Sequence, residues 1–454
     1  MKKRIHTLVV LLVFLVPLPG FSQAPQQPRV IGLDECLNLA VQNSVRLQIS
    51  ALEQQRLRFQ YRETLGQGLP NINFNGSFDD YLALPTQLIP GEFFGQPGEL
   101  IPVQFGTTFN LAGSLDASQI IYNQTYLVAL KISKRLLERN TLESERIETD
   151  LVAEVAKGFY LAQITKKQIQ NLQFNLNNLD SLLSIAKSQH EFGLITGVDV
   201  DRINVNRLNL KSSIDNLQTL YQQQLSMQKY FMGIPEESEI AFPDTLDMRM
   251  VTVDTAGNLN EHIDIRMIEK QKEIVETNLK LDRSFYYPSL TFIGSVNYLN
   301  QSNTYYLFGN PTDWFNTSLI GLRLQVPIFN GLQKRAKVSQ TKVQLQQVKV
   351  TEGDTRRILS IQAKDAARKL TNSITTEFRQ RENEKLAERV YAISSDRYQK
   401  GMIPLTDMLN AETALSDAQL GHINALVQMK IAEIDYLKAK GTLLAVANEL
   451  KSRN

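Results

Sequence analysis

From Gln124 to His190 nothing strongly breaks a helix except the isolated Gly158, and the stretch from Gly331 to Tyr398 is similarly uninterrupted. The prolines frame both runs: Pro70, Pro85, Pro90, Pro97 and Pro102 precede the first, Pro235 to Pro327 lie between them, and Pro404 follows the second. Roughly 65 residues at about 1.5 Å each make a rod of about 100 Å. An average globular helix has about a dozen residues. Leu172, Leu176, Leu179 and Leu183 step by four, three and four, and Leu420, Ile423 and Val427 by three and four. Each helix therefore carries one narrow apolar stripe on a surface of Gln, Asn and Lys. These are coiled-coil lengths.

The two halves of the chain repeat each other. Pro70-Asn-Ile-Asn-Phe-Asn-Gly76-Ser77 lies over Pro288-Ser-Leu-Thr-Phe-Ile-Gly294-Ser295, and Ile121-Tyr122-Asn123 lies over Ile328-Phe329-Asn330. Gly193-Leu194-Ile195 with Asp199 lies over Gly401-Met402-Ile403 with Asp407. Each half reads helix, strand, loop, strand, very long helix, tight turn, returning helix. The first repeat, 25–233, has strands near 69–80 and 105–120, a long helix at 122–192 and a return at 199–232. A linker at 234–258 contains the β-like run Met248 to Val253. The second repeat, 259–454, has strands near 286–299 and 313–327, a long helix at 331–399 and a return at 405–447.

The strands alternate with period two. Ile72, Phe74 and Phe78 fall on one face, and Asn71, Asn73, Asn75 and Ser77 on the other; Leu290, Phe292, Val296 and Tyr298 repeat the apolar face. Ile320, Leu322, Leu324 and Val326 alternate with Gly321, Arg323 and Gln325. Strands of about ten residues with one polar face fit a membrane barrel. Phe285, Tyr286, Tyr287, Tyr305, Tyr306, Trp314 and Phe315 at their ends supply interfacial aromatics. Four strands cannot close, because about eight is the smallest common barrel. An open edge in lipid leaves backbone groups without water. Several copies must share one barrel: two would give eight strands and three would give twelve. Asp116 and Arg323 alternate onto the lumen face, as an ion pair or as solvated wall charges. The stretch Pro85 to Pro102 is expected to be a long extracellular loop.

Met1-Lys2-Lys3-Arg4, the apolar run Leu8 to Val16 and Ser22-Gln23-Ala24 form a secretory signal peptide over 1–24, too short in its apolar core to span a membrane. The remaining chain has 46 basic and 47 acidic residues, a net charge of −1, with the basic residues dispersed. No nucleic-acid partner is expected. Cys36 is the one cysteine; it follows Leu33-Asp34-Glu35 rather than small residues, so it reads as a buried apolar side chain and not a lipidation site. The four histidines, His6, His190, His262 and His422, are scattered, and no metal or cofactor site is expected.

These features resemble the TolC-like outer-membrane efflux protein family over essentially the whole mature chain. The resemblance is carried by Leu33-Asp-Glu-Cys-Leu-Asn-Leu-Ala-Val-Gln-Asn43, both Pro-led strands, Val326-Pro-Ile-Phe-Asn-Gly331 and the two Gly-to-Asp turns. It implies an α+β membrane protein: an outer-membrane β-barrel with four strands per chain, shared by a homotrimer and continuous with a long periplasmic α-helical coiled-coil barrel. It also implies partnership with a periplasmic adaptor and with an inner-membrane transporter of the resistance-nodulation-division or ABC type.

The plain reading of each turn is a Gly C-cap followed by an Asp N-cap. In a trimer, three copies of two carboxylates would also ring a narrow mouth. The resemblance implies a periplasmic gate at Asp199, Tyr398 and Asp407, and the exposed tips Gly193, Leu194, Ile195, Gly401, Met402 and Ile403 are the candidate adaptor-docking surface. Asn410 stands where family members carry a second acid, and Ile403 where some carry a basic residue, so weaker cation retention is expected. No phosphate loop, nucleophile elbow or clustered ligand set suggests an enzyme. The leading expectation is a passive conduit for small molecules or drugs in a tripartite efflux system. The alternatives are the outlet of a type I protein secretion system and, outside transport, a periplasmic coiled-coil scaffold or a cell-surface fibre. Metal export lacks support, since Met402 and Met408 are isolated.

Overall fold

The computed structural model of the chain describes residues 29–95, 97–245, 259–305 and 314–451. The signal peptide, the run Met248 to Val253 and Tyr306 lie outside the described residues. In chain order the elements begin with β1 (Arg29–Val30), α1 (Leu33–Asn43), α2 (Val45–Gly66), β2 (Asn71–Asp80), β3 (Thr86–Pro90), β4 (Leu100–Gln104) and β5 (Phe109–Asn123). There follow α3 (Gln124–Glu191), α4 (Gly197–Met232), β6 (Ile240–Ala241), α5 (Ile263–Ser284), β7 (Ser289–Ser302) and β8 (Trp314–Gln325). The chain ends with α6 (Gln333–Gln399), α7 (Leu405–Lys440) and α8 (Leu443–Lys451). The duplication is visible in the element order: α2-β2-β5-α3-α4 is repeated as α5-β7-β8-α6-α7.

The long helices are single elements of 68 and 67 residues, each about 100 Å long. Asn123 starts the first: its side chain accepts the Tyr126 amide at 3.2 Å, so strand β5 turns directly into helix α3. α3 pairs with α4 and α6 with α7, while α2 and α5 continue the stalk alongside α3 and α6 toward the strands. Ion pairs cross the seams, among them Lys438–Asp150 at 2.7 Å, Arg135–Glu273 at 2.6 Å and Lys272–Glu352 at 2.7 Å.

The main core lies mid-stalk, where α1, the parallel β1–β6 pair and α8 wrap α3 and α7. Cys36, Val155, Phe159, Met232, Phe242 and Tyr436 are buried there. Burial pushes the Cys36 thiol up to about 12, as befits a packing residue.

Three boundaries differ from the sequence expectation. The first helix breaks at Ser44, whose hydroxyl accepts the Leu47 amide at 3.4 Å and caps α2. The returning helix expected over 405–447 ends at Lys440, because Gly441 takes a left-handed φ of 77° and α8 starts afresh. The expected 84–104 loop contains an antiparallel hairpin, β3 with β4, in which Ile89 pairs with Ile101.

Candidate functional site: the sheet and the helix tips

β2, β5, β7 and β8 form one antiparallel sheet in the order β2-β5-β7-β8. The register places Asn73 beside Asp116 and Asp116 beside Ser295, so these side chains share a face. Phe74, Leu115, Val296, Ile320, Leu322 and Leu324 fall on the opposite face and are exposed, Phe74 at 75% and Ile320 at 79%. Among the described residues these side chains lie uncovered. Among the described residues β2 and β8 pair on one side only, leaving two free backbone edges.

The Asp116 carboxylate accepts hydrogen bonds from Ser295 Oγ at 2.7 Å, Ser114 Oγ at 2.8 Å and Asn75 Nδ2 at 2.9 Å. Arg323 lies beside Thr291 on the same polar face, four residues along β7 from Ser295, roughly 13 Å away. The two residues are therefore wall charges at different heights, not an ion pair within one chain. At the stalk end of β7, Phe285, Tyr286 and Tyr287 are exposed; at the other end the Tyr305 ring stands edge-on to Phe109, with centroids 5.4 Å apart.

The far end of the stalk holds the two duplicated turns. Gly193 and Gly401 adopt φ of 70° and 71°, a left-handed conformation that glycine takes without steric cost. Both turns close in the same way: the Gly193 amide reaches His190 O and Leu194 N reaches Gln189 O, each at 2.9 Å. Gly401 N to Tyr398 O and Met402 N to Arg397 O repeat those values. Leu194 and Met402 project outward, 72% and 69% exposed, whereas Ile195 and Ile403 turn in against an apolar cluster of Leu179, Leu183, Ile203 and Leu405.

Neither aspartate is an N-cap, contrary to the sequence expectation. Thr196 caps α4, and Asp199 is the third helical residue, closing a capping box: its Oδ2 accepts Thr196 Oγ1 at 2.7 Å and Thr196 N at 3.2 Å. The Thr196 hydroxyl and amide, with Arg202 nearby, hold the Asp199 carboxyl below the usual carboxylate range. Pro404 caps α7 and offers no side-chain acceptor, so Asp407 has no matching box. Tyr398 is buried beneath the turns and donates to Gln189 Oε1 at 3.3 Å; burial first, then the Asp199 charge, pushes its hydroxyl pKa up. The structure thus brings Tyr398, Ile195 and Ile403 into one cluster, with Asp199 at its rim. Thr196 had a readable signal in Thr-x-x-Asp, whereas nothing in the sequence singles out Gln189.

A two-faced, four-stranded sheet open at both edges, prolonged by helical hairpins of this length, is not a barrel that one chain closes. The model of the family described as outer membrane efflux protein matches residues 258–442, nearly all of the second repeat. It is 21% identical over 420 residues to the antibiotic efflux pump outer membrane protein ArpC of Pseudomonas putida, covering 90% of this chain and 83% of the relative. The CmeC outer membrane channel of Campylobacter jejuni superposes with a TM-score of 0.75 at 15% identity, covering 93% of this chain and 89% of that one. The outer membrane protein VceC of Vibrio cholerae gives 0.73 at 15% identity, covering 90% and 96%.

Proposed function

We propose that the protein is the outer-membrane channel of a tripartite efflux system, a passive conduit assembled from three copies. One observation carries this reading: the sheet buries neither its apolar face nor its two edges within one chain. Lipid satisfies the face and neighbouring copies satisfy the edges. Three copies make twelve strands, enough for a water-filled lumen lined by the Asp116 face. α3, α4, α6 and α7 would prolong that lumen as a helical tunnel in the periplasm. Exposed apolar positions at heptad spacing, Val198 and Val205 on α4 and Val343 and Val350 on α6, suit packing against further copies.

In this reading the tips face a periplasmic adaptor and, through it, an inner-membrane transporter that supplies the energy. Leu194 and Met402 are the exposed apolar contacts. The turns around Tyr398, Asp199 and Asp407 form the gate. Purified chain in detergent is expected to have the mass of three copies and to conduct ions across a planar lipid bilayer. A monodisperse single chain, soluble without detergent, would overturn the proposal. Replacing Tyr398 and Asp407 together with Ala is expected to raise single-channel conductance; an unchanged value sinks the gate assignment while leaving the conduit intact.

A further inference from the structure

His422 lies mid-stalk on α7 with both ring nitrogens on carboxylates of α6: Nδ1 on Glu384 and Nε2 on Glu377 Oε1 at 3.3 Å. A neutral imidazole has one N–H and one lone pair, so in either tautomer one carboxylate would meet a lone pair; only imidazolium matches both. We propose that His422 is a proton-operated latch across the α6–α7 seam, pairing the two helices tightly when protonated and releasing them when neutral.

The surroundings isolate this group. Glu377, which is buried, also lies 3.9 Å from Arg381 Nε, so with imidazolium two positive charges face two negative ones. Neutral His422 leaves two carboxylates against one guanidinium. α3 packs beside the site through Asn175 Nδ2 on Gln419 Oε1 at 3.0 Å and carries no ionisable residue from Gln168 to Leu179. On α7 the nearest ionisable neighbours are Asp417 and Lys430, and α8 lies beyond Gly441. The seam is close here: a Cβ on Gly421 would sit 3.0 Å from Gln380 Oε1.

The hydrogen bond to Glu384 raises the His422 pKa against desolvation, and Glu377 adds to the rise. A value raised in the folded state gives stability that is complete at acid pH and fades as pH climbs through it. Glu412, ten residues away on α7, is raised by its own burial, so acid acts on the helix in the same direction there.

The test is hydrogen–deuterium exchange of the full chain in detergent at about pH 5.5 and about pH 8, on either side of the ordinary imidazole range, corrected for intrinsic rates. Segments 375–386 and 418–426 are expected to exchange several-fold more slowly at acid pH in the wild type. His422→Gln is expected to abolish that difference. Glu384→Gln, which keeps the imidazole, is expected to move the transition to lower pH. A wild type without pH dependence in these segments, a His422→Gln protein that retains it, or an unmoved transition in Glu384→Gln would overturn the latch. The readout is helix pairing itself, so the result stands apart from whether the chain conducts.

Discussion

Single residues decide where the long rods stay straight and where they stop. Gly158 is the one weak point in α3, and the structure explains it: a Cβ there would lie 1.9 Å from Nε2 of Gln228, a buried side chain that bonds Val155 O. The glycine makes room for a neighbouring helix's amide. Gly158→Ala is expected to cost about 1–3 kcal/mol through overpacking, with partial recovery in the Gly158→Ala/Gln228→Ala pair, read by thermal unfolding in detergent. At the tip, the lowered Asp199 carboxyl makes the capping box strongest above its unfolded value and weaker as pH falls through the folded one. Thr196→Ala is expected to move amide fraying in the first turn of α4 to higher pH without affecting the Pro404 turn. Amide exchange across the acid range checks this, and equal fraying in both proteins contradicts it. Gly193, Gly401 and the Asp positions were legible because glycine and carboxylates mark turns. Their bonding was not, because Thr196 caps one helix whereas Pro404 cannot cap the other in that way.

Among the elements, periodicity was the dependable signal. β2, β7 and β8 lie within a few residues of their expected ranges because alternation registers each residue to a face, and the bulge between Ile120 and Tyr122 accommodates the longer β5. The long helices were legible from the absence of breakers. The β3–β4 hairpin was not: its prolines and glycines read as loop, and the pairing of Ile89 with Ile101 depends on a register that local composition does not encode. The restart at α8 was masked because Gly441 sits inside a helical pattern. The two-faced sheet yields a paired test. Ile320→Asp on the apolar face of β8 is expected to lose membrane stability, by less than the about 2–4 kcal/mol that a lysine costs at mid-bilayer. Thr317→Asp on the polar face should be tolerated. Recovery of folded protein from lipid vesicles after urea extraction measures both, and equal recovery would contradict the face assignment.

At the scale of the whole molecule, two copies of one design are joined in one chain. The cluster of Leu179, Ile203, Tyr398 and Leu405 ties both hairpins at the tip, and the mid-stalk core ties them again near α1 and α8. Between these ties the helices meet through narrow stripes and ion pairs at their margins, an arrangement suited to sliding of one pair against another. The tip cluster is therefore expected to control movement: Leu405→Ala should destabilise the closed tips and increase the open probability in bilayer recordings. A folded protein with unchanged open probability would dissociate the cluster from gating. Symmetry explains why so much of this plan was visible from one sequence, since each motif appears twice. The contacts that break the symmetry, such as β1 with β6 and α1 against α3, involve only short or local segments and left no comparable trace.

The unpaired margins of β2 and β8 also bear on biogenesis. A lone chain entering the bilayer would carry two rows of dry amides and carbonyls, a penalty no single subunit can discharge. On the proposed shared barrel, chains would meet before or during insertion, with water-compatible stalks available to form first. The rate of insertion into vesicles should rise more steeply than linearly with chain concentration.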